Sequence, residues 1–593
     1  MSSTGHRGAR SFAADPVVEA PGELPPVWAA QLVSCEVDEC DGLPDTAVLS
    51  YRDPNHELLA ATGITIGTPV RISVVTVRGR ARQRLFTGEV TALELDTDTT
   101  GAFTVVRASA RTHRLMRGRR VAAFRNMTTS DIVRRVVTGA GLTCGRVDRV
   151  PVTHQHLSQA NVSDWEFLQY LARESGARLT VDDDGRLEFL RPEPAASAPA
   201  PGTSAARDPL VLEYGRNLLA LRAVLTGADG ADTVEVRGWD VTTKRPLVAR
   251  RPAVRSTTVL PGLNPAVAGS AFGASTRVTV ADTPYRTQAA TMAAAESVAA
   301  SVSAGFGEFE AVAEGNPKLR AGVPVALGNV GAAFSGRYTA TSARHVLEPH
   351  GGYRTHLSVS AVPDRSLAGL ATGGSAPPHG PRMPGLAVGV VTDIREGGGG
   401  QRGWVRLRFP WLDDAYVTDW VRTVQWGGKG GGGVFSPEVN DEVLVGFEQG
   451  SLDSPYVLGG LYNGVDRPSP HDVPLVDPTS GRVNRRSLVS RSGHRVELLD
   501  TPRGPSGVRL ASGDERLEVT LDERAGRIAL TVFAAGGRRP LTSITLSPTG
   551  VVLDAGNGRI DLRGRSVTVN GTADVTVDGG LLAVLKARLV RIN

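Results

Sequence analysis

Cysteine is almost absent from this chain: 593 residues hold three, Cys35, Cys40 and Cys144. So small and odd a number builds no disulfide framework and fits folding in a reducing cytoplasm. Cys35 and Cys40 lie in CEVDEC, but no second Cys or His pair completes a zinc site. Charge of one sign is missing too. Lys plus Arg is 66, Asp plus Glu is 61, and the net +5 argues against a chain whose task is to coat nucleic acid. Aromatics are only 5%. Long apolar runs are lacking as well. The best, Ala289 to Ala300, contains Thr291, Glu296 and Ser297 and is too short and too polar to span a bilayer. The first residues, MSSTGHRGARSFAADP, hold no apolar segment, so no signal peptide is expected and any exit from the cell reads no N-terminal signal.

What is present is glycine, 69 of 593 residues, about 12% against a usual ~7%. With 37 prolines this reads as a turn-rich β protein of about four domains at roughly 150 residues each. Residues 1–26 are a polar, Pro-rich arm. From Val27 to about Ala110, runs such as Val70–Val77 and Leu85–Leu93 alternate with period two, the pattern of half-buried strands. Two helices follow. Ser130 is placed to cap the first, with Ile132, Val133, Val136, Val137 and Ala140 on one face. Ser163 and Glu166 form a capping box for the second, which Gly176 ends. A hairpin turns at Asp182–Gly185. Glu193–Asp208 is a low-complexity loop or linker, an Ala-rich helix covers Arg286–Ser303, and strands include Tyr338–Ala340 and Tyr353–Val359. A second breaker-rich linker spans 371–385. Val388–Gly464 holds four of the seven Trp, at 404, 411, 420 and 426; about five short strands there suggest a small Greek-key barrel of OB type.

The C-terminal region carries a repeat. The pairs Val551/Leu553, Ile560/Leu562, Val567/Val569, Val575/Val577, Leu582/Val584 and Val590/Ile592 recur at steps of 9, 7, 8, 7 and 8 residues. Less regular pairs precede them: Val508/Leu510, Leu517/Val519, Ile528/Leu530 and Ile544/Leu546. A strand of four residues spans only ~13 Å, and two apolar side chains per octad leave most of a single chain's apolar surface wet. Three chains wound about one axis enclose it, each forming one wall of a prism, with each strand edge paired to the next chain. A single-chain solenoid is the competing reading, but its coils usually need about twenty or more residues per circuit.

Other candidates reduce to structure. His154 and His156 flank Gln155 without a carboxylate or Cys in register, and an exposed strand or loop explains them. Asp182–Asp184 are explained by the hairpin turn rather than calcium. In Gly427–Gly433, Lys429 is followed by Gly, so the phosphate-loop pattern fails and a flexible barrel loop remains. Arg111, Arg114, Arg117, Arg119 and Arg120 with His113 lack interleaved aromatics, which favours a solvated face or subunit contact over nucleic acid. Ser492 and His494 sit outside any nucleophile elbow. The four Trp read as barrel core and strand-pairing material, with a ligand role as the minor alternative.

Three features in order resemble a known family. Ser163 to Leu168 (SDWEFL), then Leu171, Ala172 and Gly176, look like the hub motif of late control proteins. Phe334 to Tyr338 (FSGRY), His345 and Gly352 to Thr355 look like the end of that region. Pro437 to Phe447, Pro455 to Gly459 and Leu461 to Gly464 look like the OB domain of spike proteins, with Asn440 where that motif usually has Gly. The chain is similar to VgrG, the spike of type VI secretion, and to the fused hub-plus-spike of phage-like contractile injection particles.

The resemblance implies a mainly β fold: a tube-like β-barrel hub with a few helices (27–370, two tube-like barrels per chain), an OB-fold domain (386–464), a linker (465–489), and a triple-stranded intertwined β-helix needle (490–593). It implies a non-enzymatic homotrimer that joins a sixfold inner tube to a threefold needle, nucleates the baseplate and punctures the target envelope. No cofactor, metal or nucleic acid is expected, and membrane contact comes only by puncture. Assembly is expected in the cytoplasm and delivery outside the cell. The expected trimer core is Val551, Leu553, Ile560, Leu562, Val567, Val569, Val575, Val577, Leu582 and Val584. Val590 and Ile592 would meet a small PAAR-like tip protein. Some 25 residues between Gly464 and Ser490 leave no room for a lysozyme domain, and any toxin or effector cargo is expected as a separate chain. A secreted trimeric adhesin or tail fibre, or a polysaccharide-degrading spike, are the alternatives; the latter needs a paired acidic site that the sequence does not display.

Overall fold

Alternating β-branched and polar residues build long antiparallel strands here, because each strand must turn one face to a core and one outward. The structure is a computed structural model that describes residues 16–75, 82–227, 231–253, 257–262, 272–273, 275–348, 352–360, 382–383, 385–397 and 401–592. Most of the expected N-terminal arm, the expected linker 371–385 apart from residues 382, 383 and 385, and the final residue lie outside the described residues. The chain divides into two units, 1–461 and 462–593.

The first unit is organised by a ten-stranded, wholly antiparallel sheet. Its order is Pro16–Glu19, Pro69–Val75, Arg82–Asp98, Gly101–Ser109, Thr46–Arg52, Leu32–Cys40, Ser342–Glu348, Gly352–Val359, Gly307–Glu314, Leu218–Leu225. Early and late parts of the chain meet where Val37 pairs with His345. One core, with Val37, Leu49, Tyr51 and Ile72, serves the early strands. Another, with Phe309, Leu327, Tyr338 and Leu357, serves the late ones. A four-stranded sheet closes over the second core. The segment 193–208 is not a free linker: Ala195 is buried, and the carbonyls of Glu193 and Pro199 accept from Thr339 and Arg337.

Between these halves lie two helices. Thr129–Gly139 is capped by Thr128, whose hydroxyl accepts the Asp131 amide at 3.2 Å, and not by Ser130. Ser130 lies two residues further on, already inside the helix; its hydroxyl donates to the Asp148 carbonyl and accepts the Val150 amide instead. Asp164–Ser175 has the expected capping box, and Gly176 ends it at φ +62°. The SDWEFL motif is a clamp. Asp164 pairs with Arg120 at 2.7 Å, the Trp165 indole donates to the Gly42 carbonyl, and Phe167 stacks on Phe124. The Ala-rich helix runs from Gln288 to Ala304 and backs a three-stranded sheet of Arg245–Pro252, Thr233–Asp240 and Arg277–Tyr285.

Glu174, near the end of the second helix, is half-buried and accepts the Tyr285 hydroxyl at 3.2 Å. Burial pushes its carboxyl up to about 7. A folded-state value raised above the ordinary 4.5 means that the stability tied to it is intact below about pH 4.5 and is lost as pH rises through about 7. Glu174→Gln is therefore expected to match the native chain at pH 4.5 and exceed it at pH 8, by on the order of 2 kcal/mol after allowance for partial exposure. Paired thermal melts across that range test this; a constant difference would remove the burial account.

The barrel expected at 386–464 is present as a five-stranded sheet ordered Arg406–Arg408, Leu386–Asp393, Glu442–Phe447, Pro455–Gly460, Arg422–Thr423. Asn440 adopts φ +74°, the left-handed turn that its family position demands. Its interior is Val391, Val405, Leu407, Phe409 and Tyr416. The four Trp are not core, contrary to the sequence reading. So narrow a barrel fills with aliphatic and phenyl groups. Trp404 and Trp420 lie under Arg402 and Arg406, at 3.7 and 4.7 Å from guanidinium carbon to ring centroid, while Trp411 and Trp426 are exposed.

The second unit is a seven-stranded antiparallel meander taken in chain order: Arg485–Val489, Arg495–Asp500, Ser506–Ala511, Leu517–Asp522, Arg527–Phe533, Pro540–Ser547, Gly550–Asp554. The expected linker 465–489 belongs to this unit and supplies its first strand. Beyond Asp554 no strand occurs among the described residues, and every residue from Gly556 to Ile592 is exposed.

Candidate assembly surface

Register decides what the meander shows to solvent. Leu488 opposes Val496, Val496 opposes Leu510, Leu510 opposes Val519, Val519 opposes Leu530, Leu530 opposes Ile544 and Ile544 opposes Leu553. Directly opposed residues share a face, so one apolar row crosses all seven strands. A second runs beside it through Leu498, Val508, Leu521, Ile528, Leu546 and Val551. Many of these side chains are more than 40% exposed in the single chain. The groove along the sheet holds about 980 Å³ and is lined by residues such as Leu510, Val519, Leu530 and Ile560.

The opposite face of the same sheet opens toward its last strand, where Val552 is exposed, and is buried at its first strands. Glu497 is fully buried there, 3.0 Å from His471 and 3.5 Å from Arg509, and Arg509 reaches Glu518 at 2.8 Å. Val473, from the segment before the first strand, is buried too. At its first strands the sheet thus has a finished face and an unfinished one.

The sequence-derived residues fall into two groups. Val551 and Leu553 lie on the last strand and join the open apolar face. Ile560, Leu562, Val567, Val569, Val575, Val577, Leu582, Val584, Val590 and Ile592 lie past the last strand. All twelve are 49–87% exposed. The earlier, irregular pairs are strands of an in-chain sheet rather than octads, because strands of five to eight residues joined by tight turns have neighbours within reach of their own chain. The octads beyond Asp554 form no such strand among the described residues.

The remaining candidates are placed as follows. His154 and His156 lie on the strand Thr153–Val162 and are half-buried, not exposed. His154 meets Thr129 at 3.0 Å. His156 lies 3.4 Å from the Tyr416 hydroxyl and 3.8 Å from Asp453, and burial holds its imidazole below the usual range. Asp182 accepts the Asp184 and Arg186 amides, a turn as expected. Arg111, His113 and Arg114 of the basic run all converge on buried Glu89. Gly427–Gly433 leads into no helix. His494 accepts the Gly513 amide. His345, Tyr353 and Thr355 form a buried hydrogen-bonded group, and burial, with the Arg320 charge beside it, holds the His345 imidazole down to about 3.

Two clusters escaped sequence reading. The strand Thr153–Val162 also packs on the barrel, where the Ser158 hydroxyl donates to Asp453 at 2.5 Å, its amide reaches the same carboxylate at 3.2 Å, and Tyr416 lies 2.8 Å from that hydroxyl. Arg125 donates to the Val417 carbonyl. Separately, buried Glu235 is held at 2.6 Å by Arg237 and by Arg250 and at 3.1 Å by Arg277, which keeps it down to about 2. The first joins residues almost three hundred positions apart, and the second gathers arginines from three strands, so no local pattern signals either.

The described residues thus hold a large antiparallel β region, a small five-stranded barrel and a sheet with one open apolar face. A family model described as the type VI secretion system/phage-baseplate injector OB domain matches residues 387–462, and one described as the Alg8 N-terminal domain matches residues 67–348. The type VI secretion system spike protein VgrG5 of Pseudomonas aeruginosa is 39% identical over 21% of this chain and 18% of its own length. VgrG1c of the same organism is 31% identical over 24% and 20%. The matched segments thus span about a fifth of the length of these curated relatives. Among solved structures, an Escherichia coli component of the type VI secretion system aligns at 14% identity over 73% of this chain and 97% of its own, with TM-score 0.44. A chain of the Francisella PdpA–VgrG complex aligns at 9% identity over 92% and 80%, with TM-score 0.47. Over the matched segments the chain is similar to VgrG spike proteins. No helix of the described residues is long and apolar enough to cross a membrane.

Proposed function

We propose that this chain is the non-enzymatic spike and hub of a contractile injection system and works as a homotrimer. The observation that carries this reading is the half-finished second unit: a meander with one open apolar face, continued by 37 exposed residues, Gly556–Ile592, whose apolar pairs recur about every eight residues. Burying one such side chain is worth roughly 1.5–3 kcal/mol. Three copies arranged about an axis bury the faces against one another and let the unpaired octads hydrogen-bond chain to chain. The mechanism is mechanical. A tube driven forward loads the hub, and a stiff three-walled prism concentrates that force on a narrow end.

In this reading the hub meets the inner tube protein and baseplate proteins, and Val590 and Ile592 meet a PAAR-like tip protein. The names of the curated relatives, all spike proteins of type VI secretion, support the reading, as does the injector OB match. Light scattering on purified protein is expected to give about 187 kDa, three times the 62.3 kDa chain. Incubation with peptidoglycan is expected to release no fragments. A monomer in solution removes the trimeric spike, and released fragments remove the non-enzymatic one.

A further inference from the structure

The barrel carries an apolar patch that its own core does not use. Thr423 ends one strand and Glu442 begins the next. Between them a long loop exposes Val424, Trp426, Val434, Phe435 and Val439, with Trp426 70% and Val434 80% accessible. Exposed single apolar residues are ordinary, but five on one loop, two of them aromatic, are not.

The loop is held in shape by its own contacts. The Trp426 and Phe435 rings lie 4.6 Å apart. The Phe435 amide donates to the Gln425 side chain at 2.7 Å, and Gln425 donates to Thr423 at 2.8 Å. Gly427 and Gly432 touch so closely that a Cβ on Gly432, at φ +100°, would lie 2.4 Å from the Gly427 Cα. The glycines that read as flexibility thus allow a pinch that presents the aromatic pair outward.

We propose that this loop is a second contact between copies of the chain, in which the Trp426–Phe435 pair packs against the barrel of a neighbouring copy. The inference rests on the trimeric spike reading and deepens it. Two observations choose a second copy over another occupant. Residues 424–440 carry one Lys and one Glu, Lys429 and Glu438, so the loop brings no net charge onto a neighbouring barrel. The arginine-rich face around Glu235, by contrast, would repel itself. In addition, copies joined through residues 462–592 hold their barrels on a short tether, because the barrel ends where that unit begins. This raises the effective concentration of one loop near another to the millimolar range. Aromatic pairs of this kind make efficient contact centres.

The test places a thiol at Val434. Val434→Cys is labelled with a maleimide in the full chain and again together with Val575→Asp and Val577→Asp, the pair expected to yield single chains. The native chain, with buried Cys35 and half-buried Cys40 and Cys144, sets the background. Labelling of Cys at 434 is expected to be at least tenfold slower in the trimer than in the single chain. Equal fast rates overturn the proposal while leaving the trimer intact. Equal slow rates overturn it too, because the patch is then covered within its own chain. A native mass of one chain instead overturns the trimeric reading. In a second measurement, Val434→Asp is expected to lower the melting temperature of the trimer and leave the Val575→Asp, Val577→Asp chain unchanged; no shift in the trimer counts against the contact.

Discussion

Aspartate at both Val575 and Val577 is expected to reduce the assembly from about 187 kDa to single 62.3 kDa chains. The two side chains are 52% and 81% exposed in one chain, so in an isolated chain the change meets water and costs little. In the proposed threefold prism the same positions would face the axis. Six carboxylates would then converge in a space with no water and no cation from this pair of positions. An unpaired buried charge is among the costliest groups a protein can hold, and like charges at close range add to that cost. The contrast between a harmless single-chain effect and a lost trimer makes the substitution diagnostic. Light scattering reads it directly. A soluble trimer of native melting temperature would show that the octads do not enclose an axis.

Asp453→Ala is expected to have the largest effect within the first unit. This carboxylate accepts both the amide and the hydroxyl of Ser158, a residue 5% exposed, from a strand almost three hundred positions earlier. Alanine leaves the amide without its acceptor and the hydroxyl with Tyr416 and His156 alone. At 1–3 kcal/mol for each buried group left unsatisfied, the loss is about 3 kcal/mol. Asn retains one accepting oxygen and is expected to lose about 1 kcal/mol. The damage should be local, so limited proteolysis is expected to release the barrel region before the ten-stranded sheet is cut. Unchanged urea midpoints and cleavage patterns would show that the Ser158–Asp453 contact does not hold barrel to hub.

Legibility tracked the distance over which a signal acts. The capping box at Ser163 and Glu166, the stop at Gly176 and the turn at Asp182 are settled within a few residues, and each stands where its sequence placed it. Thr128 and Ser130 both carry a hydroxyl and stand two residues apart, and only the packing of Ser130 against Asp148 and Val150 separates them as caps. The strand pairs between 508 and 546 share the apolar spacing of the later octads. They differ in having turn and length enough to pair with their own neighbours. The Trp residues misled because their composition says buried, whereas the barrel's bore accommodates Leu407, Phe409 and Tyr416 and leaves the indoles to arginine partners outside.

The chain's chemistry alone determined its class. Few cysteines, balanced charge and turn-rich β alternation fix a mainly β protein, because periodicity and composition are local properties summed along the chain. Tertiary structure decided which surfaces are finished. It placed Glu497 and His471 on the face of the meander that is covered at its first strands and turned its Val and Leu rows to the open one. It joined Ser158 to Asp453 across the barrel contact and pinched the Gly427–Gly432 loop so that Trp426 faces outward. Each depends on residues that meet only after folding, where exclusion of water, and not proximity in sequence, sets the energy.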